Sequence, residues 1–158
     1  MRRIVPVFLL VVLAAGVWWW RTRPPDLSRN PDLGLVSTVH GTEEARISLR
    51  ALNRGGDIVT VVGEIRYDTT VLRLRECVSD GARAGKQLHF LEPEPGRVRA
   101  VLAGSLDPMP ADSEVIACTF AVSNTSAGKT VVRATGEVAD LNYVDRPFEL
   151  TQEIALGG

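Results

Sequence analysis

The sequence predicts an all-β domain, an antiparallel sandwich or jelly roll of eight or nine short strands, preceded by an N-terminal hydrophobic helix. Three observations carry this. Apolar and polar residues alternate with period two, most clearly at Ala45, Ile47, Leu49 and Ala51 around Arg46, Ser48 and Arg50. Seven further runs are rich in Val, Ile, Thr and aromatic residues: 58–67, 71–75, 87–91, 97–103, 114–122, 130–135 and 148–154. Between them lie turn clusters such as SDGARAG, EPEPG, SLDPMPADS and SNTSAG, in which Gly, Pro, Asp and Asn set the local backbone. The stretch from Ala45 also admits a helix, with Thr42 as its cap and Arg54-Gly55 as its end. The alternation favours a strand. No long 3.6-residue pattern and no internal repeat competes with this reading.

The elements follow in order. Arg2 and Arg3 precede an uncharged run from Ile4 to Trp20, the layout of an export signal. At about 1.5 Å per residue, a helix over this run reaches roughly 25 Å, enough to span a locally thinned bilayer. Ala14 and Gly16 offer small residues for signal cleavage, but a cut there leaves Trp18, Trp19 and Trp20 exposed on a water-soluble end. An uncleaved anchor accounts for the three indoles as an interfacial belt, closed by Arg21 and Arg23. Residues 1–23 are therefore read as a signal anchor, with a signal peptide as the alternative. Either way, the rest of the chain is expected outside the cytoplasm. Residues 24–33 form a stiff spacer, because Pro24, Pro25 and Pro31 hold the backbone extended.

Residues 34–158 then make one domain, about the length that supports a single core and too short for a two-domain enzyme. Residues 33–158 carry 13 basic and 17 acidic side chains, which disfavours nucleic acid as a partner. Arg outnumbers Lys by 16 to 2 in the whole chain, a bias of genome composition more than of function.

Several local patterns resemble sites of chemistry but read more simply as structure. GARAGKQ has one residue too few between its glycines for a phosphate loop, and Gln87 stands where Ser or Thr would bind magnesium. Asp140, Asn142 and Asp145 read as turn residues rather than calcium ligands, since an EF-hand loop needs more acids and a glycine at its bend. Glu92 and Glu94 flank Pro93 as a solvated turn rather than a hydrolase pair. Asn124-Thr125-Ser126 matches a glycosylation acceptor no better than chance. His40 and His89 are too few for a metal site, so neither metal nor cofactor is expected. No nucleophile, base and orienting group can be assembled, which places an enzyme last among the functional readings.

The ordered set VVGEIRYDTTVL, GKQLHF, PGRVRAVLAG, DPMPADSEV, IACTFAV and SAGKTVV resembles a bacterial cohesin domain over residues 35–155. The matching positions are the Tyr67-Asp68 pair that ends one strand, Leu72 that starts the next, the strand from Gly96 to Val101, and Phe120 in a late strand. The resemblance implies a nine-stranded jelly-roll sandwich whose activity is protein–protein docking to a dockerin-like partner. Related folds serve as carbohydrate-binding modules, which makes a polysaccharide, possibly an anionic one, the alternative ligand. The resemblance also places Cys77 and Cys118 on neighbouring strands. In an exported domain two cysteines most simply form a disulfide; the alternative is that Cys118, in phase with Ile116 and Phe120, is only a small core residue.

The candidate binding face follows from strand parity. If Val61, Gly63, Ile65 and Tyr67 face inward, then Thr60, Val62, Glu64 and Arg66 face out, beside Arg97, Arg99 and Val101. The resemblance makes these two strands neighbours, flanked by His89 on one side and by Val131 and Arg133 on the other. The expected result is a basic face that meets an anionic partner through arginine forks, against the alternative of an ordinary solvated sheet face.

Overall fold

The computed structural model describes residues 33–52, 58–142 and 144–156. Nine strands lie among the described residues: β1 (Leu33–His40), β2 (Glu44–Ala51), β3 (Ile58–Arg66), β4 (Leu72–Val78), β5 (Lys86–Glu94), β6 (Arg97–Gly104), β7 (Glu114–Val122), β8 (Lys129–Asp140) and β9 (Asp145–Ala155). They form two antiparallel sheets, a 4-stranded one ordered β1-β2-β7-β4 and a 5-stranded one ordered β5-β6-β3-β8-β9. The chain passes between sheets at β2–β3, β3–β4, β4–β5, β6–β7 and β7–β8, so both layers must assemble together. Two short 3-10 turns, Asp80–Ala84 and Thr125–Ala127, are the helical segments of the described residues, and none is long enough to cross a membrane. The expected helix over 4–20, the Trp18–Trp20 belt and the spacer up to Asp32 lie outside the described residues. Leu33, the last residue of that spacer, already belongs to β1 and is buried.

Alternation decides the layers. Ala45, Ile47, Leu49 and Ala51 are all buried, which settles the stretch as a strand. In β3, Val61, Gly63 and Ile65 face the core, with Tyr67 just beyond the strand end. Phe120 of β7 meets the Tyr67 ring edge to face, with centroids 4.8 Å apart. With Ile47, Leu72, Leu102, Ile116 and Met109, these side chains fill the space between the sheets. Burying each such side chain contributes roughly 1.5–3 kcal/mol before the entropy of ordering is subtracted.

One bulge rewrites the phase of β4. Leu72 and Leu74 face inward, so strict alternation would aim Glu76 at the core. The register slips between Leu74 and Glu76, leaving Arg75 as the extra residue, and Cys77 turns inward opposite Cys118. The two are joined by a disulfide with Cα atoms 4.1 Å apart, and both are also buried core residues. The disulfide reading holds, and the alternative that Cys118 is only a small core residue does not.

The strands outrun their sequence signals in places. β1 lies outside the strand runs that the sequence marks, because Val36 interrupts the alternation of Leu33, Leu35 and Val39; in the fold Val36 is 39% exposed. β5 continues through Pro93 and β9 begins before Pro147. Both are edge strands, where a missing N–H donor is tolerated. Glu92 and Glu94 thus lie on β5 rather than in a turn. Glu92 accepts a hydrogen bond from the Tyr67 hydroxyl, and Glu94 pairs with Arg97 at 3.2 Å.

β8 runs through Gly136, which faces Gly63 across the ladder. Phe148 of β9, paired with Gly136, reaches over both glycines: its Cζ would lie 3.7 Å from a Cβ at Gly63 and 2.9 Å from one at Gly136. At the β8–β9 turn, Asp140 Oδ1 accepts from the backbone N–H groups of Asn142 and Val144, which is turn chemistry. The GARAGKQ segment forms the first 3-10 turn and ends on Gly85 at φ 65°. The buried Lys86 ammonium donates to the Ser105 carbonyl at 2.5 Å, and desolvation lowers its pKa.

Candidate functional site

The outer face of the 5-stranded sheet gathers the predicted binding residues into register rows. Val62 lies opposite Val101, which lies opposite His89. One step along, Glu64 opposes Arg99, and Arg99 opposes Leu91. In the next row Arg66 opposes Arg97, and Arg97 opposes Glu94. On the other flank Arg66 pairs with Arg133 of β8, and Glu64 with Thr135. All seven predicted side chains, Val62, Glu64, Arg66, His89, Arg97, Arg99 and Arg133, therefore share one surface. The cause is the pleat of β3 and β6, which sends even residues of β3 and odd residues of β6 outward.

Glu64 is the hub. Its carboxylate receives Arg97 Nη2 at 2.6 Å, Arg66 Nε at 2.7 Å and Arg99 Nε at 3.2 Å. The hydrogen bond from Arg97 is the largest cause that holds its pKa down, to about 2; partial burial opposes this, and the bonds from Arg66 and Arg99 add to it. Glu64 is 17% exposed, whereas Arg66 and Arg99 are 62% and 55% exposed. The carboxylate is thus a fixed internal anchor that orients the guanidinium groups, and Arg66 and Arg99 remain open to a visitor.

The expectation of a uniformly basic face needs correction. Around Glu64, three arginines against Glu64 and the flanking Glu94 leave a net charge of +1 on β3, β5 and β6. Next to it, outward Lys129 and Arg133 stand against Glu137, Asp145, Glu149 and Glu153, leaving −2 on β8 and β9. Arg133 faces Glu149 at 3.6 Å, and Lys129 faces Glu153 at 3.0 Å. The face is therefore bipolar. The sequence reading missed this because it followed the outward residues of β3 and β6 and not those of β9.

Between the charges lies apolar surface that the sequence reading also understated. A shallow depression of about 330 Å³ is lined by Val62, Glu64, His89, Leu91, Arg99 and Val101. Val62, Leu91 and Val101 are 51%, 56% and 38% exposed. Leu91 shares the outward parity of His89, two residues earlier on β5, and that parity is the signal that finds it. On the opposite side of the sandwich, Glu114 binds Arg46 at 2.5 Å and Ser48 at 2.7 Å, a polar clasp across β2 and β7.

No family model matches the sequence, and no curated protein matches it. Solved structures do. A cohesin module from a family 33 glycoside hydrolase of Clostridium perfringens aligns with TM-score 0.62 at 18% identity, covering 81% of this chain and 98% of the module. A non-cellulosomal cohesin from Archaeoglobus fulgidus aligns with TM-score 0.55 at 9% identity, covering 75% and 91%. A type I cohesin–dockerin complex from Clostridium thermocellum aligns with TM-score 0.51 at 12% identity, covering 73% and 86%. At these identities the likeness is one of fold, and the described domain is a cohesin-like β-sandwich of two antiparallel sheets.

Proposed function

We propose that the chain is a non-enzymatic docking module, held at the outer side of the membrane by its N-terminal segment, that binds a dockerin-like protein through the outer face of β5-β6-β3-β8. The observation that carries this reading is the convergence of Val62, Glu64, Arg66, Arg97 and Arg99 on that face, in a fold whose solved relatives include a cohesin bound to a dockerin. The arrangement suits recognition. The Glu64 hub pre-orders the arginines, so a partner meets a rigid surface and less side-chain freedom is lost on binding. The oppositely charged halves fix the orientation in which the partner lands, while Val62, Val101 and Val131 supply apolar contact. A disulfide-bonded core and the apolar, tryptophan-ended N-terminal run both support an extracytoplasmic location.

The test is capture from envelope extract by the full chain, with and without chelator, beside the variant carrying Arg66→Glu and Arg99→Glu. The reading expects a protein that is retained by the wild-type chain and lost with the charge-reversed one; equal capture by both would refute it. A polysaccharide is the weaker ligand, because sugar rings stack on exposed aromatics and Phe90 is the one well-exposed ring among the described residues. A hit on an array of anionic glycans, without any captured protein, would turn the assignment to that ligand.

A further inference from the structure

We propose that the depression beside Arg99 is a pocket for one apolar side chain of the partner, aromatic or branched, whose neighbouring Asp or Glu carboxylate is held by Arg99. This rests on the docking reading and gives its partner a chemistry. The first support is exposed apolar surface: Val62, Leu91 and Val101 leave between 38% and 56% of their area open around one hollow. Its volume of about 330 Å³ lies at the lower end of the roughly 300–1,000 Å³ seen in ligand pockets, which suits a single side chain.

The second support is charge complementarity. Arg99 commits Nε to Glu64, and its two terminal nitrogens make no hydrogen bond among the described residues. Glu64 already holds Arg97 and Arg66 at shorter distances, and Glu94 takes up Arg97 as well, so an incoming carboxylate meets an excess of one positive charge, with Arg99 the cation nearest the hollow. The acidic half on β8 and β9 repels the same carboxylate. Register puts Arg99 directly between Glu64 and Leu91, so the cation sits one strand spacing from the apolar wall. An apolar residue and an adjacent acid match that spacing. A neutral sugar uses neither the fork nor the aliphatic floor.

The test uses the 15N-labelled full chain in zwitterionic detergent, titrated with N-acetyl-L-phenylalanine, its uncharged amide and N-acetylglycine. Saturable shifts are expected at Val62, His89, Leu91, Arg99 and Val101 with the first probe. The amide is expected to bind roughly tenfold more weakly, as loss of one charge-assisted fork implies. N-acetylglycine is expected to leave these signals in place. Arg99→Gln should bring the acid down to the amide, and Val101→Asp should abolish both while the remaining signals keep their positions.

Equal binding of acid and amide, shifts elsewhere, or a preference that survives Arg99→Gln would overturn the proposal. So would concentration-dependent shifts of the same residues without any probe, which would assign the hollow to a second copy of the chain. If Val101→Asp still captures the envelope protein that the Arg66→Glu, Arg99→Glu chain loses, the pocket falls and the docking face stands.

Discussion

Gly63 and Gly136 face each other across the β3–β8 ladder, yet the space around them is unequal, and this gives a sharp test of the sheet that carries the docking face. A Cβ at Gly136 would lie 2.1 Å from the Val62 carbonyl oxygen, 2.8 Å from Gly63 Cα and 2.9 Å from Phe148 Cζ. Two of these neighbours are backbone in the middle of a paired strand, so relief requires β3 to move by about an ångström and give up ladder hydrogen bonds. Overpacking costs about 1–3 kcal/mol where side chains yield, and with backbone in the way Gly136→Ala should cost about 3 kcal/mol. A Cβ at Gly63 meets Ile116 Cδ1 at 3.5 Å and Phe148 Cζ at 3.7 Å, which is ordinary contact. Gly63→Ala should therefore lie within about 0.5 kcal/mol of wild type, because the restricted unfolded chain offsets any crowding. Urea unfolding of the two single variants at neutral pH, with equal m-values, reads the difference. Equal losses, or a larger loss for Gly63→Ala, would refute the packing argument.

Three more outcomes follow from the same contacts. Replacing Cys77 and Cys118 together by Ala opens a loop of sequence separation 41 and should cost about 4 kcal/mol, seen as a lower Tm; a loss below about 1 kcal/mol would mean that the bond constrains little. Glu64 has a folded pKa depressed to about 2, so its contribution is fully present above its unfolded pKa, near 4.5, and is lost as pH falls through 2. That contribution is about 1–2 kcal/mol after allowing for solvent screening at the exposed Arg66 and Arg99, and Glu64→Gln should remove this part of the pH dependence in acid unfolding curves. Glu114→Ala leaves Arg46 and Ser48 without their acceptor and should cost about 1–2 kcal/mol by thermal unfolding, with no effect on capture of a partner at the opposite face.

Much of the fold was legible where one rule acts alone. Period-two alternation fixed the faces of β2 and β3 residue by residue, and with them the outward set Val62, Glu64 and Arg66. The hidden parts are those where two rules compete. Arg75 is an ordinary strand residue by type, and only the pairing of β4 with β7 makes it the bulge that turns Cys77 inward. Gly136 and Pro147 read as strand breakers, yet a facing glycine with a ring above it and an edge position accommodate them. Residues of the site were legible by parity, but its charge was not, because Glu64 gathers three arginines through contacts that join β3 and β6 and that spacing alone cannot show. The acidic half of the face belongs to β9, which is far from β3 in sequence and reaches the same surface only through β8.

The proposed docking function requires that recognition take place on the outer face of the 5-stranded sheet. Amide hydrogen exchange on the full chain, free and bound to the envelope protein it captures, tests this most directly. Slowed exchange confined to β3, β5, β6 and β8 is the predicted result. Slowed exchange on β1, β2, β4 and β7 instead, with the first set unchanged, would contradict it.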